Sequence, residues 1–142
     1  MERRNFIGLA VAGSVAGIIV PNSVLAKSAS AGMAGGVYYT KENPGRWSKK
    51  IAGHLPSVEV SKGSKGVKVQ VFTAHGMSGY EHYIVKHVIL DKDFNYIDEK
   101  MFDPMKDKAA VSEFDLGKYK GTLNVLSVCN KHDTWLNVVE IS

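Results

Sequence analysis

The amino-acid sequence predicts an all-β domain, a β-sandwich of seven or eight strands. Three observations lead there. After position 36 short apolar or alternating runs recur, turn-forming stretches separate them, and no run in that part has the length and 3.6-residue period of a confident helix. Residues 37–40, 58–60, 67–72, 82–90, 122–128 and 135–141 are the predicted strands, with weaker candidates at 96–102 and 109–114. Lys62-Gly63-Ser64-Lys65-Gly66 and Asp91-Lys92-Asp93 punctuate them as turns. Residues 27–36, mostly Ser, Ala and Gly without a period, read as a flexible lead-in, and residues 37–142 as one domain.

The first 26 residues read as an address. Met1-Glu2-Arg3-Arg4-Asn5-Phe6-Ile7 leads into an apolar run, followed by Pro21 and the small-residue end Val24-Leu25-Ala26. This is the pattern of a twin-arginine export signal, cleaved after Ala26, and a periplasmic or otherwise exported protein follows from it. A general secretory signal carrying two arginines is the alternative. The run from Phe6 to Val20 has 15 residues, short of the roughly 20 a membrane-crossing helix needs, so no stable membrane anchor is expected.

Composition narrows the function classes. With 44% hydrophobic and 23% charged residues, the 142-residue chain has globular rather than disordered character. The formal charge of +4 becomes +3 once residues 1–26 are removed, with 16 basic against 13 acidic groups. Only Arg46 remains of the arginines, and no basic cluster is interleaved with aromatics, so nucleic acid is not an expected partner. Cys129 is the single cysteine, which excludes an intrachain disulfide in a protein bound for an oxidising compartment.

Chemistry concentrates on five histidines, His54, His75, His82, His87 and His132, and on Cys129. Cys129-Asn130-Lys131-His132 falls on the turn after one predicted strand, where a thiolate and an imidazole with two residues between them can chelate one ion; a buried cysteine beside a surface histidine is the competing reading. His75 and His82 flank the small-residue loop Gly76-Met77-Ser78-Gly79-Tyr80-Glu81, which can turn both rings inward or leave them solvated. A two-residue period over the predicted strand 82–90 puts His82 and His87 on opposite faces, so His87 reads as a packed or surface residue and not a ligand. His54, in Gly53-His54-Leu55-Pro56, precedes a predicted strand.

Taken together these strings resemble the superoxide reductases, the desulfoferrodoxin and neelaredoxin iron-binding domain, over nearly all of residues 37–142. The resemblance rests on Glu42-Asn43-Pro44-Gly45-Arg46-Trp47, His54-Leu55-Pro56, His75-Gly76-Met77, Glu81-His82-Tyr83-Ile84 and, most specifically, Ser127-Val128-Cys129-Asn130-Lys131-His132-Asp133-Thr134-Trp135. It implies an immunoglobulin-like sandwich. It also implies one mononuclear iron per chain, Fe(2+)/Fe(3+), with His54, His75, His82 and His132 in a plane, Cys129 on the axis and a sixth position open. Superoxide would bind there, receive one electron from Fe(II), and leave as hydrogen peroxide. The implied partners are superoxide and a small electron-donor protein such as a rubredoxin or a cytochrome, with a homo-oligomer as a further option.

The chain departs from the family pattern twice. Where the family commonly has Glu-Lys before its first histidine, Ala52-Gly53 stand here, so Lys50 or Lys131 is expected to supply the cation near the open position. The stretch from His75 to His82 is one residue longer than usual. The alternative function is a non-catalytic metal-binding or electron-transfer module of the same fold. Zinc would prefer four tetrahedral ligands, and a blue-copper site would call for a Met after His132, which is absent.

Overall fold

Among the described residues seven strands form two antiparallel sheets: β1 (Ser57–Gly63), β2 (Gly66–Thr73), β3 (Ile84–Leu90), β4 (Tyr96–Met101), β5 (Ala110–Gly117), β6 (Gly121–Cys129) and β7 (Asp133–Ile141). One sheet has the order β1-β2-β5 and the other β4-β3-β6-β7, an immunoglobulin-like β-sandwich. This computed structural model describes residues 32–142, and Met33–Ser142 make up one unit. The export signal predicted over residues 1–26, with residues 27–31 of the lead-in, lies outside the described residues. Among the described residues no helix is long and apolar enough to cross a membrane.

The strands arise where the sequence alternates. In β2, Val67, Val69 and Val71 point inward while Lys68, Gln70 and Phe72 face solvent. Val69 and Val71 are fully buried and pack with Ile89, Phe114, Leu123, Val125 and Ile141 into the main core. Each such side chain contributes roughly 1.5–3 kcal/mol by leaving water. The β1–β2 hairpin turns through Ser64-Lys65, with Gly63 opposite Gly66. Gly66 has a φ of +117° and its backbone touches Gly117, so a side chain there would overlap the Gly117 carbonyl.

Several expectations shift. Residues 37–40 are not a strand: they make two isolated parallel bridges, Tyr38 to Ala34 and Tyr39 to Trp135, the second through Tyr39 N–H to Thr134 O and Leu136 N–H to Tyr39 O. The predicted strand 82–90 starts at Ile84, because the Asn130 side chain takes up the Tyr83 N–H and the carbonyls of Tyr80 and Glu81. Met33 to Gly36, expected within a flexible lead-in, make backbone hydrogen bonds from Gly35 N–H to Tyr38 O and from Gly36 N–H to Met33 O. Two short helical turns, η1 (Gly45–Trp47) and α1 (Ile51–His54), were not foreseen. A one-turn helix carries no periodic signal.

A second apolar cluster lies towards one end of the sandwich and contains Met77, Ile84, Phe102, Ala110 and Cys129. Between the two clusters each of four strands contributes one inward polar residue: Thr73 from β2, His87 from β3, Ser112 from β5 and Ser127 from β6, all buried. His87 Nε2 lies 2.9 Å from Thr73 Oγ1 and its Nδ1 2.7 Å from Ser112 Oγ, while Thr73 Oγ1 meets Ser127 Oγ at 2.8 Å. Both ring nitrogens are thus satisfied inside the sandwich. Burial holds His87 neutral, with its pKa lowered to about 4.

Candidate metal centre

Three loops and one helical turn converge at the end of the sandwich nearest Cys129. His54 is the last residue of α1, which stops because Leu55 precedes Pro56 and is extended (φ −68°, ψ 124°). His75 follows the end of β2, His82 precedes β3, and Cys129 closes β6. His132 sits in the tight β6–β7 hairpin, where Cys129 pairs with Asp133 and Asp133 takes the left-handed conformation at φ +64°. Asp tolerates that region better than most residues.

The four imidazoles form a closed ring. Neighbouring ring centroids are 4.7 Å apart for His54–His75, 4.4 Å for His75–His82, 4.7 Å for His82–His132 and 4.7 Å for His132–His54, all edge-on. Across the ring His54 and His82 stand 6.1 Å apart and nearly parallel, at 26°. A square with sides near 4.6 Å would have a diagonal of about 6.5 Å, so the arrangement is close to square. Donor atoms of His54, His75, His82 and Cys129 all lie within 4.8 Å of one another. His132 Nδ1 adds itself at 3.0 Å from His82 Nε2 and 3.7 Å from Cys129 Sγ.

Hydrogen bonding fixes which nitrogens face inward. His54 Nδ1 donates to the Lys50 carbonyl at 2.9 Å and His75 Nδ1 to the Gly76 carbonyl at 2.7 Å. Since a carbonyl can only accept, Nε2 of each neutral ring is a bare lone pair. His54 Nε2 is buried without a hydrogen-bond partner, alone in this among the buried side-chain N and O atoms of the described residues. His82 Nε2 lies 3.0 Å from both His75 Nε2 and His132 Nδ1. One nitrogen cannot donate to one neighbour and accept from the other, so at most one of these contacts is a hydrogen bond. A cation accounts for both. Donors about 2.1 Å from one ion and at right angles to each other stand about 3.0 Å apart, and opposite donors about 4.2 Å. The residues present therefore fit a single ion.

A profile of the desulfoferrodoxin family matches residues 45–138, about two thirds of the sequence. The chain belongs to the desulfoferrodoxin family. Among solved structures, a variant of the neelaredoxin-type superoxide reductase from Ignicoccus hospitalis is similar at 25% identity and a TM-score of 0.64, covering 76% of this chain and 95% of that one. A superoxide reductase in the oxidised state is similar at 25% identity and a TM-score of 0.53, covering 63% and 88%. The superoxide reductase from Treponema pallidum is similar at 27% identity and a TM-score of 0.50, covering 61% and 67%. No curated protein sequence matches significantly.

In this desulfoferrodoxin-family chain the surroundings hold each ring. Trp47 meets His132 edge-on at 4.6 Å between centroids, and Trp47 Nε1 and Arg46 Nη2 both donate to Asp133 Oδ2, at 2.8 and 2.6 Å. These two donors lower the Asp133 pKa. Trp135, fully buried, donates from Nε1 to the His132 carbonyl at 2.9 Å and lies against His54 at 5.9 Å. Burial, more than anything else, lowers the His54 pKa to about 4. His82 and His132 are lowered too, first by burial; the charges of Lys131 and Lys50 add to the effect at both. Both lysines are exposed.

The structure thus brings His54, His75, His82, His132 and Cys129 together and keeps His87 apart in the core. His82 does so from a loop, so the strand-period argument that separated it from His87 does not apply to its actual position. Residue patterns alone did not find Asn130, Trp47, Asp133 or the Lys50 carbonyl. All four lie inside or beside the strings that carry the family resemblance. Their roles depend on contacts made 47 to 87 positions away, or on backbone atoms.

Proposed function

We infer that this protein is a superoxide reductase: one superoxide anion, one electron and two protons are taken up and hydrogen peroxide is released. The centre is a single iron held by His54, His75, His82, His132 and Cys129. The observation that carries the reading is the closed ring of four imidazoles beside the only thiol, in a chain of the desulfoferrodoxin family. When bound, the iron supplies the electron, passing between Fe(II) and Fe(III), while the Cys129 sulfur donates electron density to it.

The chain's own residues do the rest. The Lys50 and Gly76 carbonyls orient the His54 and His75 rings so that Nε2 points inward, as partners of ligating histidines commonly do. Met77, Ile84 and Phe102 pack around Cys129 and keep water from the sulfur. Lys50 and Lys131 place positive charge near the imidazoles, which attracts an anion. A small electron-transfer protein such as a rubredoxin or cytochrome restores the electron, since a single cysteine cannot also hold a four-cysteine iron site. Residues 1–26 support a place outside the cytoplasm.

Visible and electron-paramagnetic spectra of the purified protein, before and after oxidation, test this reading. One iron per chain and a thiolate-to-ferric charge-transfer band are expected. A colourless zinc protein that does not consume superoxide in pulse radiolysis would point to the non-catalytic alternative.

A further inference from the structure

Asn130 stands between Cys129 and His132, yet its side chain reaches away from both. Its Nδ2 donates to the Tyr80 carbonyl at 3.1 Å and to the Glu81 carbonyl at 3.0 Å, and its Oδ1 accepts from the Tyr83 N–H at 3.0 Å. Its own N–H donates to the Tyr83 carbonyl at 3.2 Å. These bonds reach residues on both sides of His82. The His82 segment belongs to neither sheet, and β3 begins only at Ile84, opposite Cys129. Elsewhere in the loop Met77 is buried in the small apolar cluster and accepts from the Ile84 N–H at 3.4 Å, and Tyr80 donates to Asp103 at 2.7 Å, but Gly76 and Gly79 have open space around them.

We propose that Asn130 is a positioning residue for the centre: its side-chain amide fastens the loop carrying His82 to the turn carrying Cys129 and His132. Asn is suited to this because one side chain offers two donors and an acceptor in a rigid plane, matching two carbonyls and one N–H of the facing backbone. Aspartate is not, since its carboxylate would face the Tyr80 and Glu81 carbonyls with no proton to share. These bonds act at the His82 end of the stretch from His75 to His82, where His82 Nε2 lies 3.0 Å from His132 Nδ1. The inference rests on the reading of His82 as a ligand.

The test is a double-mutant cycle read by Co2+ binding, with affinity from chelator competition and geometry from the thiolate-to-cobalt and ligand-field bands. The variants are Asn130→Ala, His82→Gln and the pair, with Asn130→Asp as a second probe and denaturant unfolding of each apoprotein as the stability control. Asn130→Ala should weaken Co2+ about tenfold, the lower end of the loss usual for residues that orient metal ligands, and shift the ligand-field bands. In the His82→Gln background the same change should alter neither affinity nor spectrum by more than about twofold. Asn130→Asp should behave like Asn130→Ala or worse. An equal loss in both backgrounds, or a loss tracking apoprotein stability alone, would overturn the positioning role, as would unaltered binding by Asn130→Ala. If His82→Gln itself left Co2+ affinity unchanged, the ligand reading of His82 would fall, and the inference with it.

Discussion

Lys50 and His54 are joined by a 2.9 Å hydrogen bond from the imidazole Nδ1 to the lysine's backbone carbonyl, which turns a bare, buried Nε2 towards the other three rings. Leaving such an atom without a partner costs about 1–3 kcal/mol. Metal should relieve that cost. Ferrous iron supplied anaerobically at 100 times its dissociation constant should stabilise the apoprotein by about 2.7 kcal/mol, reversed by a chelator. His54→Ala should lose most of that gain while the apoprotein still unfolds cooperatively. Thermal scans with and without metal measure both.

Cys129 is 4% exposed and touches the small apolar cluster at its end of the sandwich. Serine has nearly the same shape but cannot supply a soft thiolate. Cys129→Ser should therefore abolish the charge-transfer colour and leave the β-sheet circular dichroism intact. A serine variant that kept its colour and iron would place the centre elsewhere.

His87 and His82 should respond oppositely to the same substitution. His87→Gln should retain iron, since Thr73 and Ser112 occupy both ring nitrogens, whereas His82→Gln should lose most of it. His87 should also control acid stability. With its pKa near 4 in the fold and about 6.5 in the unfolded chain, the unfolded state binds the extra proton between those values. The His87 contribution is thus complete above about pH 6.5 and is lost as pH drops towards 4, up to about 3 kcal/mol. In urea titrations of the apoprotein, His87→Gln should reduce the slope in that window by up to about 1.4 kcal/mol per pH unit relative to the wild type.

Lys50 and Lys131 both act on His82 and His132 through their charge. Lys50→Ala should slow superoxide consumption in pulse radiolysis about two- to fivefold and flatten its dependence on ionic strength, with iron content unchanged. Lys131→Ala is the comparison: the larger loss identifies the lysine closer to the anion's approach. Gly53 offers the reverse experiment. Its backbone is not left-handed, and a Cβ there would meet only the Ala74 carbonyl, at 3.4 Å. Gly53→Lys should therefore fold, and it should raise the rate where Lys50→Ala lowers it.

The strands and their inward faces were legible because a half-buried strand must alternate, as Val67, Val69 and Val71 do. Their order in two sheets came only with the fold. The five residues that meet were named by the family resemblance, since histidines at 54, 75, 82 and 132 share no period that points to one place. The sequence by itself determined an all-β domain with one thiol and five imidazoles; that His87 lies in the core came from the fold. Tertiary structure decided the rest: which nitrogen of His54 and His75 faces inward, that Asn130 holds the His82 loop, and that Asp133 gathers Trp47 and Arg46 beside His132. The reason is physical. Hydrogen bonds between side chains and distant backbone form only after sheet pairing has brought the loops together, and they leave no periodic trace in the chain.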